Sequence, residues 1–307
     1  ASKLTKVNNI PTRSENVLVT NGGKQAIFNL FQIILNPEDE VLIPSPYWLS
    51  YPEIARLAGA KPITIPSSPK DGFCLDIESL EAKITNKTRL LILNSPSNPT
   101  GRVIPKKEME AIADVLRRHP HVLVMSDEIY EFILADGIEH QSFASVAPDL
   151  AERVFTVNGF AKGWAMTGWR IGYLSGQREV IKAASALQSQ STSNVCSFAQ
   201  RGALAALQGS RDCVIAMSKK YNYRRELLTK SLEKIEGMSI VPPQGAFYAF
   251  PQLPHNSPNS FEFCEQALDE VGLAIVPGIA FGDTRCIRVS CATSSQLISE
   301  GINRLND

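Results

Sequence analysis

The chain has 307 residues, with 31 Lys+Arg against 31 Asp+Glu and a formal net charge of zero. At about 150 residues per domain, this length predicts about two domains with ample chain to bury a core. Charge neutrality argues against a broad nucleic-acid or anionic-membrane surface, and favours a globular protein with a small-molecule task.

The first residues, Ala1–Lys6, lack the apolar core of a signal peptide. Val17–Thr20 reads as a strand and Gln25–Leu35 as the helix after it. Val41–Ile43 leads through a Pro-bracketed turn to a helical stretch from about Trp48 to Leu57. Leu90–Leu93 ends in the turn-rich Asn94–Gly101, and Pro105-Lys106-Lys107-Glu108 opens a helix with Pro near its first turn. Val122–Met125 and Val154–Val157 repeat the pattern of a buried strand ending in polar residues. Such alternation predicts an α/β fold, a mostly parallel sheet covered on both faces. Beyond residue 178 the pattern predicts long helices over 178–206 and 210–236. Short strands are expected near Ala246–Phe250, Leu273–Val276 and Cys286–Val289, and a last helix over Ser294–Leu305. The expected division is a large α/β domain, 1–206, and a smaller α+β domain, 207–307.

The six cysteines form no C-x-x-C pair and no metal-ligand spacing with His, so no metal is expected and free thiols in a reducing compartment are. No apolar run approaches the roughly 20 residues that span a bilayer. The expected location is cytoplasmic.

In an open parallel sheet, ligands bind beyond the carboxyl ends of the strands. There the sequence places Gly22-Gly23-Lys24-Gln25, Asn98, Asp127 with Tyr130, and Lys162. Each has a structural alternative taken singly: a glycine turn, a turn residue before Pro99, a helix N-cap, a core aromatic, a solvated lysine. Their convergence on several strand ends favours a site.

Val157-Asn158-Gly159-Phe160-Ala161-Lys162-Gly163-Trp164-Ala165-Met166-Thr167-Gly168-Trp169-Arg170-Ile171-Gly172-Tyr173 resembles the lysine signature of class I aminotransferases, enzymes of the aspartate aminotransferase fold that use pyridoxal phosphate (PLP). Asn94–Gly101 and Ser126–Glu131 resemble two further motifs of that family, in the same order. The resemblance covers essentially the whole chain.

It implies that Lys162 carries the Schiff base to PLP and then serves as general base and acid, which the readily lowered pKa of a lysine permits. Asp127 would pair with the protonated pyridine nitrogen. Asn98 and Tyr130 would hydrogen-bond the phenolic oxygen, and Trp48 would stack on the ring. The turn Gly22-Gly23-Lys24 and the guanidinium of Arg170 would hold the phosphate. Gly159 and Ala161 depart from hydroxyl residues common in relatives, so one phosphate hydrogen bond is expected to be missing. Arg288 would clamp the substrate α-carboxylate, against the alternative of a salt bridge on a small-domain strand. Phe247 would line the substrate pocket. Lys24 would meet a distal carboxylate, or face only the phosphate.

The resemblance implies amino-group transfer between aspartate and 2-oxoglutarate by a ping-pong mechanism. Its small-molecule partners would be amino acids and 2-oxo acids, without nucleic acid or membrane, in a homodimer where Ser193 and Asn194 lie near the partner. An aromatic or prephenate aminotransferase, a PLP-dependent lyase, and a non-catalytic relative are the alternatives. The last arises because nothing before residue 17 matches the N-terminal arm and the first part of the small domain.

Overall fold

The computed structural model describes residues 1–306. Among the described residues, ten strands form two sheets. The larger contains β1 (Val17–Thr20), β2 (Glu40–Pro44), β3 (Lys61–Ile65), β4 (Thr88–Asn94), β5 (Leu123–Asp127), β6 (Val154–Gly159) and β7 (Gly172–Ser175), in the order β1-β7-β6-β5-β4-β2-β3. The smaller contains β8 (Tyr248–Ala249), β9 (Val276–Pro277) and β10 (Ile287–Ser290), in the order β8-β10-β9.

The apolar runs are buried on both faces, as a helix-covered sheet requires. Leu90, Leu91, Ile92 and Leu93 of β4 are all buried. On one face they meet the helix Gly23–Ile34, which turns Ala26, Ile27, Leu30, Phe31 and Ile34 inward at helical spacing. On the other face lies the helix Lys106–Arg118, through Met109, Ile112, Ala113, Val115 and Leu116. A separate core under the small sheet joins Leu228, Leu232, Ile287 and Ile298.

Three details differ from the sequence expectation. β3 is an additional strand; Pro62 and its polar alternation hid it, and both are tolerated because it is an edge strand. The long helix expected over 178–206 is two helices, Arg178–Ser191 and Ser197–Gln208. The break falls at Thr192-Ser193-Asn194, short polar side chains that compete for backbone groups. Ser193 is left-handed (φ 59°) and the Asn194 side chain donates to the Val195 carbonyl. The strand expected over 273–276 starts only at Val276, after the helix Ser260–Val271 closes on left-handed Gly272.

Strand direction sets the site. Strands β1 to β6 all run the same way, and β7 alone is reversed. The end of β6 and the start of β7 therefore lie at the edge where the other five strands end. Segment 160–171, joining them, projects there with Lys162 and Arg170. The register pairs Gly172 with both Thr20 and Gly159. A Cβ on Gly172 would lie 2.7 Å from Gly22 C and Gly23 N, and one on Gly159 would lie 2.9 Å from Gly172 Cα. Only glycine permits backbones this close, which is a local steric reason for Gly159 in place of a hydroxyl residue.

Candidate active site

At this edge a cleft of about 370 Å³ opens between the large sheet and the small one. Every residue singled out for the site from sequence lines it, except Gly22 and Phe247.

Asp127, the last residue of β5, is buried at the cleft floor. Tyr51 donates its hydroxyl to Asp127 Oδ2 at 2.7 Å, and the Ile129 N–H reaches Oδ1 at 3.3 Å. Burial is the dominant influence and raises the carboxyl from 3.8 to about 6, against the pull of these donors and of Lys162. Neighbouring Asn94, paired with Asp127 in the β4–β5 register, ties the two strand ends by donating to the Asp127 carbonyl at 2.9 Å. Its Oδ1 accepts the Asn98 N–H at 2.8 Å and so places Asn98.

Lys162 Nζ lies 5.7 Å from the Tyr130 ring centre and 5.2 Å from that of Phe247. Its proton affinity is lowered by burial first, then by Arg288 and Arg170, with Asp127 opposing. A lysine so placed is a nucleophile and a base nearer neutral pH than a free one.

Arg170 sits in the left-handed region (φ 53°). Its guanidinium donates to the carbonyls of Thr167 at 3.0 Å and Asn21 at 3.4 Å, beside the Gly22–Gly23 turn. A Cβ on Gly22 would stand 2.6 Å from Arg170 Nη2, so this glycine makes room for the guanidinium from behind the lining. Lys24, in the first turn of the helix that starts at Gly23, holds its Nζ 4.9 Å from the Trp48 ring centre. Trp48 in turn meets Tyr51 edge-on at 5.3 Å.

From the small sheet, Arg288 of β10 donates through Nη1 to Asn98 Oδ1 at 3.0 Å. Its guanidinium lies between the rings of Tyr248 and Phe281, at 4.5 and 4.8 Å. Its buried Nε has no hydrogen-bond partner among the described residues. Phe247 packs in the small-sheet core against Tyr221, with its ring also near Lys162 Nζ, while Tyr248 next to it lines the cleft.

Among the lining residues that escaped the sequence reading are Tyr51, Asn94 and Tyr248. Tyr51 falls three residues after Trp48, and Asn94 ends a buried strand beside Asp127; both were visible signals. Strand alternation would have turned the choice between Phe247 and Tyr248 only with the direction of β8 known.

Behind the Asp127–Tyr130 turn is a second buried polar group. Glu128 accepts from Ser126 at 2.9 Å and Ser142 at 2.6 Å, with His140 at 3.3 Å; Glu131 accepts from Asn8 and Asn158, each at 2.8 Å, and pairs with Lys3. Glu128, Glu131 and His140 bring ligand-type atoms within 4.8 Å of one another. Each carboxylate oxygen already has a protein donor, so the two carboxylates are held in an ion-pair network.

No Lys or Arg of the cleft (Lys24, Lys162, Arg170, Arg288) has a carboxylate within 4.0 Å among the described residues. Four unpaired cations around one buried carboxylate, at the carboxyl edge of an α/β sheet, define a site for a small anionic ligand. The chain belongs to the class I and II aminotransferases, whose family model matches residues 1–305.

Among curated relatives, it is 46% identical to a bifunctional aspartate aminotransferase and glutamate/aspartate-prephenate aminotransferase of Petunia hybrida, over 99% of this chain and 66% of that protein. Among solved structures, it is similar to the aspartate aminotransferase of Thermus thermophilus with maleate (42% identity, TM-score 0.94). That match covers 100% of this chain and 79% of the other. An aromatic aminotransferase of Pyrococcus horikoshii matches at 38% identity and TM-score 0.96, over 100% and 83%. The fold is therefore that of the aspartate aminotransferases. Among the described residues, no helix is long and apolar enough to cross a membrane.

Proposed function

We propose that this chain transfers amino groups between aspartate, or a similar dicarboxylic amino acid, and 2-oxoglutarate, with PLP as cofactor. The observation that carries the reading is the convergence of Lys24, Lys162, Arg170 and Arg288, none of them salt-bridged, on one cleft with Asp127 at its floor.

The residues fit PLP. Arg170 and the first-turn N–H groups of Gly23 and Lys24 offer donors for a phosphate, in a cradle that a Cβ on Gly22 would fill. Asp127 is a carboxylate for a protonated ring nitrogen, and that cation would draw its proton affinity back down. Asn98 and Tyr130 offer donors for a phenolic oxygen, and Trp48 an aromatic face. When bound, PLP supplies an electron sink for negative charge developing at the substrate Cα.

Around it, the protein's own groups do the rest. Arg288, packed against two rings and steadied by Asn98, holds the substrate α-carboxylate. Lys162 Nζ takes the proton from the substrate Cα and returns one on the way to product. Lys24, on the far wall beside Trp48, receives the side-chain carboxylate. Two such half-reactions, one for each substrate, make a ping-pong cycle. The name of the Petunia relative and the maleate in the Thermus structure both support a dicarboxylic substrate.

An aromatic substrate is the second reading, favoured by the Pyrococcus relative and by the Trp48 ring on the cleft wall. A homodimer accords with the exposed Trp169 and with Phe198, Leu204 and Leu207 on the helix Ser197–Gln208. The proposed division into domains follows the small sheet's own core, and the proposed location is the cytoplasm.

The test is the absorption spectrum of the purified chain with PLP, before and after aspartate. A visible band that aspartate bleaches, and that Lys162→Ala abolishes, is expected. A PLP band indifferent to aspartate but bleached by phenylalanine would move the assignment to the aromatic reading. No PLP-dependent band would overturn both.

A further inference from the structure

Resting on that reading of the cleft, we propose that Tyr248 is a positioning residue for two groups at once, its hydroxyl serving Tyr130 and its ring serving Arg288. The Tyr130 and Tyr248 hydroxyls lie 3.1 Å apart in buried surroundings, with the rings edge-on at 5.9 Å. The same Tyr248 ring lies 4.5 Å from the Arg288 guanidinium.

Strand geometry produces this double contact. Tyr248 pairs with Ser290 across β8 and β10, and Arg288 lies two residues from Ser290. Residues two apart share a face, so Arg288 is the diagonal neighbour of Tyr248. The face of the ring is then available to the cation, and its hydroxyl edge reaches across to the large sheet.

A phenol has one hydrogen and two lone pairs. When Tyr130 spends its hydrogen on an oxygen in the cleft, the 3.1 Å contact persists only if Tyr248 becomes the donor. Such a donor strengthens Tyr130 as a donor in turn, since hydrogen bonds in series polarise one another. On its other side, Tyr248 with Phe281 packs against the Arg288 guanidinium and steadies it, leaving its remaining N–H groups for a planar carboxylate. One side chain thus couples the group facing the cofactor to the group facing the substrate.

Two variants separate the roles. Tyr248→Phe keeps the ring and removes the hydroxyl; Tyr248→Leu removes both. The first readout is the pH midpoint of the visible PLP band, and the second is the affinity of the PLP-free chain for maleate by calorimetry. Tyr248→Phe should raise the pH midpoint by about half a unit, because a weaker Tyr130 donor stabilises the deprotonated form less. Its maleate affinity should stay within about twofold of the parent. Tyr248→Leu should also weaken maleate about fivefold, the scale of a lost cation–π contact. Tyr248→Met repeats that arm if the Leu variant does not fold.

An unmoved pH midpoint in Tyr248→Phe overturns the hydroxyl role, and parental maleate affinity in the ring-deleted variant overturns the ring role. Absence of a PLP band in the parent would overturn the proposed function and the hydroxyl role together. The maleate comparison would still decide the ring role.

Discussion

Asn98 and Arg288, 190 residues apart in sequence, meet at 3.0 Å through a single hydrogen bond from Nη1 to Oδ1. Asn98 is itself held by Asn94, and Asn94 by the Asp127 carbonyl, so the arginine is referenced to the cleft floor through a chain of amides. Arg288→Lys keeps the charge but loses the planar fork and its stacking. The expected result is a rise in KM for both amino and keto substrates of about tenfold to a hundredfold, matching about 1.5–3 kcal/mol for a charged hydrogen bond. Steady-state kinetics with aspartate and 2-oxoglutarate measure it, and an unchanged KM would remove Arg288 from carboxylate binding.

Asp127 sets a pH-dependent stability. Its carboxyl is raised by burial to about 6 from 3.8. The native chain therefore binds this proton more tightly than the unfolded chain does. The sign follows: its contribution is most favourable below pH 4, and stability falls as pH rises from about 4 through 6. By that shift the ionised group costs the PLP-free chain about 3 kcal/mol at neutral pH. Asp127→Asn, which can still accept from Tyr51, should be more stable than the parent at pH 7.5. That gain should shrink towards pH 4 while aminotransferase activity is lost. Urea unfolding of both proteins across pH 4–8 checks this; a gain that grows towards low pH would contradict it.

Lys24 stands apart from Arg170 in having no hydrogen-bond partner among the described residues, only the Trp48 ring beneath its Nζ. Lys24→Ala should lower kcat/KM for aspartate about tenfold or more, and for phenylalanine by less than threefold. This is the discrimination expected when one charged contact to a distal carboxylate is removed. Equal losses on the two substrates would place Lys24 on the phosphate instead.

Lys3 compensates the buried carboxylates behind the active-site turn, with side-chain exposure of 8% against 3% for Glu131. Glu128 remains ionised in the same network: burial pushes its pKa up, but His140, Ser142 and Lys3 outweigh that and hold it below the usual range. Lys3→Met strands a buried negative charge, so a destabilisation of about 3–5 kcal/mol is expected. Denaturant unfolding measures it, and a loss under 1 kcal/mol would show the pair to be dispensable.

The large sheet was legible because its central strands are unbroken apolar runs, and Leu90–Leu93 has no other comfortable place. The cleft residues Lys162, Asp127 and Asn98 were legible because they stand at strand ends within long motifs. Edge strand β3 was masked by Pro62, and the helix break at Ser193 by a sequence that remains helix-compatible on either side. Tyr248 was obscure for a different reason: which of two adjacent aromatics faces a cleft depends on pairing with a strand about 40 residues later. Long-range register of that kind leaves no local trace.

The single reversed strand also orders events in time. By residue 175, where β7 ends, the chain already contains Lys24, Trp48, Asn98, Asp127, Lys162 and Arg170, together with all seven strands that aim them. Arg288 and Tyr248 emerge more than 70 residues later. During synthesis from the N-terminus, at about 5–20 residues per second, these six side chains precede Tyr248 and Arg288 by several seconds. A ligand captured at that stage would meet a half-built pocket, open on the side that the small sheet later closes.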